Sequence, residues 1–152
     1  MKSLLLVLSI SLLASCSRQA DSSERAALEE QFRKSLTGAA LVGKFTSDSG
    51  RISDDRYVIE KVSKVQGDIW LFQSRIQYGG RDLPIPLPLT VKWAGDTPVI
   101  TLTDMPIPGL GTFTARVMFF RDHYAGTWSG KDHGGQMFGK IVREGGGDAP
   151  AK

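Results

Sequence analysis

A chain of 152 residues, 41% hydrophobic and 23% charged, holds one domain's worth of core and is too apolar to be mainly a disordered tail. Its net charge of +3 is spread without any long basic run, too diffuse for a nucleic-acid footprint, and its single cysteine excludes an internal disulfide or a cysteine-based zinc site. With 17 Gly and 7 Pro, the composition points to a turn-rich, β-rich globule.

The N-terminus carries the strongest signal. Met1 and Lys2 give a positive start, Leu4 to Leu13 form an apolar run, and Ala14-Ser15 place small residues before Cys16, the layout of a cleavable export signal. The run is about ten residues long where a spanning helix needs about 20, so a retained transmembrane anchor is not expected. Leu13-Ala14-Ser15-Cys16 resembles the lipobox of bacterial lipoproteins. That resemblance implies that residues 1–15 are a lipoprotein signal peptide, that a diacylglyceryl group is attached to the Cys16 sulfur, and that N-acylation follows cleavage. One acyl chain holds a protein to a bilayer marginally and two or three hold it nearly permanently, at about 0.8 kcal/mol per buried methylene. Ser17 is similar to the outer-membrane default of enterobacterial sorting. The expected location is the bacterial cell envelope, lipid-anchored, at the outer membrane and facing the periplasm or the surface. Lipid would consume the only thiol, leaving no cysteine for catalysis or metal binding.

Residues 16–23 are small and polar and read as a tether. Over 24–37, Leu28, Phe32 and Leu36 recur every four residues, while Arg25/Glu29, Glu29/Arg33 and Glu30/Lys34 form charge pairs at the same spacing, which predicts a short amphipathic α-helix. Asp21 and Glu24 resemble a capping box, and Gly38 is placed to end the helix. One apolar stripe suits a helix docked on a body better than a partner-binding helix, and the mixed charges differ from a basic membrane-surface helix.

From Leu41 the pattern changes to short extended runs. Turn chemistry at Asp48–Asp55, Gln66–Asp68, Gly79–Asp82, Ala94–Thr97, Asp104–Gly111, Arg121–His123 and Ser129–Gly135 separates strands expected at 41–47, 56–65, 69–78, 83–93, 98–103, 112–120, 123–129 and 136–143. Such a meander covers its apolar face by curling into an eight-stranded antiparallel up-and-down barrel, so the fold class is all-β, with a barrel domain over 38–144 and a disordered tail over 145–152. Pro84, Pro86 and Pro88 share one parity, so one edge of their strand lacks successive N–H donors. A seam near 83–88 in an incompletely closed barrel follows, and it protects that edge from aggregation.

Up-and-down connection sorts the longer loops to one end, the expected mouth, and places the helix and anchor toward the tight-turn end. This plan resembles the lipocalin-like and avidin-like barrels, as do Gly43-Lys44-Phe45 near the start of the first strand and Gly126-Thr127-Trp128 later. Phe45 stands where a lipocalin usually carries Trp, and Arg143 is the candidate basic residue to pack on it. Those families bind small molecules inside or at the mouth. The body is also similar to small uncharacterised envelope lipoproteins, a resemblance that implies no activity.

Loops are normally polar, yet Asp104–Gly111 carries Met105, Ile107 and Leu110, so it closes over the mouth as a lid, presents an adhesive surface or plugs the barrel. With inward Trp70, Phe72, Trp93, Phe113 and Trp128 it makes the candidate binding site for a small apolar ligand. The alternative is a solid core, with the outer face or the seam meeting another envelope protein as partner. Asp122-His123 and Asp132-His133 pair a carboxylate with an imidazole, but the strand between them spans roughly 20 Å and sets the histidines at opposite ends as turn residues. Asp54-Asp55 reads as a hydrated turn rather than a cation site. No hydrolase elbow, zinc helix or phosphate loop is present. The expectation is therefore a non-enzymatic lipoprotein without catalytic residues, metal or cofactor.

Overall fold

The four-residue recurrence of Leu28, Phe32 and Leu36 forms helix α1, residues 21–36, in a computed structural model that describes residues 21–78 and 81–143. The signal peptide, Cys16 and the tail over 145–152 lie outside the described residues, and Asp21 to Ser23, expected in the tether, are already helical. On α1, Arg33 grips Glu30 through two 2.7 Å hydrogen bonds, one residue closer than the expected Glu29 pairing. Gly38 follows with φ 71°, a left-handed conformation that suits a helix stop.

Eight strands follow: β1 (Ala39–Thr46), β2 (Ile52–Gln66), β3 (Ile69–Tyr78), β4 (Arg81–Ala94), β5 (Thr97–Ile107), β6 (Gly111–Phe120), β7 (His123–Ser129) and β8 (Gly134–Arg143). Each pairs antiparallel with the next, and β8 returns to β1 from Ala39↔Arg143 to Phe45↔Met137, closing an up-and-down barrel. Turns at 67–68, 95–96 and 121–122 lie at one end; the connections 47–51, 108–110 and 130–133 lie at the other. Inward and outward residues alternate as the pleat requires: Ile85, Leu87, Leu89 and Val91 are buried, whereas Pro84, Pro86 and Pro88 are exposed.

The seam falls where the prolines place it, in a barrel that nevertheless closes. β3 pairs with β4 from Ile69↔Thr90 to Tyr78↔Arg81, but the β4–β5 ladder covers only Thr90↔Thr101 to Ala94↔Thr97. Odd-numbered amides of β4 face β3, as Val91 N shows by donating to Asp68 O at 2.8 Å, so the missing proline donors all belong to the β5 side.

Two stretches differ from the sequence reading. The expected loop Asp104–Gly111 is largely strand, because β5 continues through a bulge between Leu102 and Met105 and re-pairs Met105↔Phe113, Pro106↔Thr112 and Ile107↔Gly111. Asp104 makes the bulge at φ 49°, held by Thr114, whose hydroxyl accepts from Asp104 N at 2.9 Å and donates to its carboxylate at 3.2 Å. The second stretch is Ser53–Asp55, expected in a turn, which belongs to β2 and pairs with β1.

Trp70, Val62 and Val91 are among the largest fully buried side chains, and they come from the ends of β3, β2 and β4 near the tight turns. Arg143 donates to the carbonyls of Lys34 at 2.6 Å and Thr37 at 3.0 Å; paired with Ala39, it is at the opposite end of β1 from Phe45 and does not take the expected place beside it.

Candidate functional site

The barrel interior holds a cavity of about 310 Å3. Its wall reaches from Leu110 and His133, in the connections at the long-loop end, down to Leu41 and Ile59. The wall is apolar apart from Asp55, Tyr57, Ser74, His133 and the Trp128 indole.

Aromatic rings form the outer level. Trp128 meets Phe45 edge-on at 5.7 Å between centroids, Phe113 at 6.4 Å and His133 edge-on at 5.3 Å, spacings at which ring edges and faces attract. The Trp128 Nε1–H donates to Thr46 O at 3.2 Å, which fixes the indole from β7 onto the end of β1.

Of the residues singled out from sequence, Phe72, Ile107, Leu110, Phe113 and Trp128 border the cavity. Trp70, Trp93 and Met105 do not: Trp70 is 2% exposed beside the 67–68 turn, with the Lys64 ammonium 5.9 Å from its ring centre, and Trp93 is half-buried beside the 95–96 turn. Met105 follows the bulge and is half-buried. The bulge restores Ile107 to the inner face, where it is buried. His123 and His133 stand at opposite ends, as the strand length between them requires; His123 is exposed and 2.8 Å from Asp122, outside the cavity.

Asp54 and Asp55 are not a hydrated turn. Consecutive strand residues face opposite ways, so Asp54 points out to Lys44 at 2.7 Å while Asp55 points in and is 7% exposed. Two carboxylates on opposite faces cannot share a cation, and among the described residues no three ligand-type side chains cluster. Burial pushes the Asp55 carboxyl up to about 6, against the opposing effect of hydrogen bonds from the Tyr57 side chain and the Arg56 backbone. Burial first, and the Asp55 charge second, raise the Tyr124 phenol above its ordinary value. Among the described residues, neither Asp55 Oδ2 nor Tyr124 Oη has a hydrogen-bond partner. The sequence signal for Asp55 is its parity with Tyr57 and Ile59, which puts it on the inner face of β2.

Among the described residues no helix is long and apolar enough to cross a membrane. No protein-family model matches the chain, and no curated protein matches it either.

Proposed function

We propose that the protein is a lipid-anchored envelope lipoprotein whose barrel holds a small apolar or amphipathic molecule in its interior, without catalysing a reaction on it. The anchor rests on Leu13-Ala14-Ser15-Cys16. The observation that carries the binding role is the interior itself: a cavity of about 310 Å3 walled by Phe72, Leu87, Ile100 and Phe113 among others, where a solid barrel would have interlocked side chains. Small-molecule sites are concave, mostly apolar and about 300–1,000 Å3, with a few placed polar groups.

A second reading, docking to another envelope protein, is supported by the outer wall. Met118 and Phe138 both lie opposite Ala125, on flanking strands, and they are 45% and 46% exposed. Exposed apolar side chains on adjacent strands are a feature of interaction surfaces.

Native mass spectrometry of the protein purified from its own membrane separates the two. Non-protein mass beyond the acyl anchor, retained through gentle activation, is expected; a clean anchored mass with a co-purified protein would favour docking. Ile107→Ser should weaken retention more than Met105→Ser, because only Ile107 borders the cavity.

A further inference from the structure

We propose that Asp55, assisted by Tyr57, anchors the polar end of the ligand, and that the ligand is a single-headed amphiphile whose head donates hydrogen bonds, a hydroxyl or an ammonium, and is not an anion. This rests on the reading that the cavity takes an apolar molecule, and it adds which molecules qualify.

The geometry begins with a row across four strands. Asp55 pairs with Gly43, Gly43 with Gly139, and Gly139 with Tyr124. The two central positions have no side chains, and the Tyr124 ring occupies the space they leave: a Cβ at Gly43 would lie 2.7 Å from Tyr124 Oη, and one at Gly139 would lie 2.8 Å from its Cε1. The phenol therefore extends over both glycines toward the Asp55 side of the row. Asp55 itself borders the cavity at 7% exposure, whereas Tyr124, 2% exposed, does not border it.

A buried carboxylate oxygen and a buried phenol without partners are costly, because each has lost water and gained nothing in exchange. An ionised carboxylate only accepts, so the group it lacks is a donor. A hydroxyl head can donate to Asp55, whereas an ammonium head engages it through charge as well. A carboxylate or phosphate head would set like charge against Asp55 in a weakly screened interior and be refused. Beyond this point the wall is chiefly hydrocarbon and aromatic, which suits one head on an apolar body rather than a molecule polar at both ends.

Titration calorimetry of the full chain with decanol, decylamine and decanoate, which share one apolar body, tests the assignment. At neutral pH decanol and decylamine should bind at least about tenfold tighter than decanoate. Asp55→Asn should lower decylamine affinity about tenfold, leave decanol nearly unchanged and raise decanoate. Tyr124→Phe, which keeps the ring over both glycines, should leave all three affinities nearly unchanged, because the phenol does not border the cavity. Equal binding of all three heads, unaltered by Asp55→Asn, would overturn the head-group assignment and leave the apolar site standing. No binding of any probe, decane included, would overturn both. Thermal unfolding of each variant alongside the titration shows whether the fold persists.

Discussion

Asp55 is ionised at neutral pH at the expense of the fold. Its carboxyl titrates near 6 in the folded protein, against about 3.9 for an unperturbed aspartate. Between those values the folded chain holds more protons than the unfolded one, so stability declines as pH rises through the interval. The extra stability is complete below about pH 4 and gone above about pH 6, and two pKa units correspond to about 2–3 kcal/mol. Asp55→Asn keeps the shape and removes the titration. Chemical denaturation of the variant should give a midpoint nearly independent of pH from about 4 to 8, and it should be more stable than the parent by about 2 kcal/mol at pH 7 and above. An unchanged midpoint at neutral pH would mean that water relieves Asp55, and the argument that its charge awaits a partner would lose its basis. A stabilising substitution that weakens binding of a cationic head is the pattern expected of a residue kept for its site rather than for the fold.

At the scale of elements, β4 and β5 meet at the seam with two separate devices. The prolines of β4 remove donors, and the β5 bulge at Asp104 breaks the register that Thr90↔Thr101 would otherwise continue. Restoring donors with Pro86→Val and Pro88→Val therefore should not close the seam. The new N–H groups would face a strand already out of step and would become an open edge. The double variant should associate with rising concentration, measured by light scattering, while the parent stays monodisperse; a monodisperse variant with newly protected amides would show that the prolines alone make the seam. The same two strands mark where sequence stops being legible. β3 and β7 are readable from end to end because their alternation is unbroken and clear turns bound them. β5 is not, because Asp104, Pro106 and Pro108 have the chemistry of a turn, and a bulge looks like a turn until its partner strand is known. Parity likewise gives the face a residue occupies and not its depth: it places Phe72 and Trp70 inside together, although only Phe72 borders the cavity. Asp55 escapes notice beside Asp54 and the Asp48–Gly50 turn, where two acids suggest solvent.

Taken whole, the barrel encloses a cavity whose wall reaches the longer connections at Leu110 and His133, so a bound molecule would enter among Phe45, Phe113, Trp128 and His133 or through the seam between Leu87 and Ile107. What delivers such a molecule depends on where the protein is held, and the proposed anchor at Cys16 would hold it at a membrane. On the proposed lipidation, a diacylglyceryl group and an amide-linked acyl chain would together bury tens of methylenes at about 0.8 kcal/mol each, enough to keep the barrel at one bilayer rather than in free diffusion. Amphiphiles with a hydroxyl or ammonium head and an apolar body partition into that same bilayer, so anchoring would raise their local concentration at the mouth. In the native host, radiolabelled palmitate should be incorporated into the full chain, and Cys16→Ala should abolish both the label and sedimentation with membranes. If the variant barrel is then given decanol in solution, it should bind as tightly as the anchored form, because the anchor sets encounter and not affinity. Retained membrane fractionation without label would mean that Cys16 carries no lipid anchor, and lost affinity in the unlabelled protein would mean that acyl chains take part in the site.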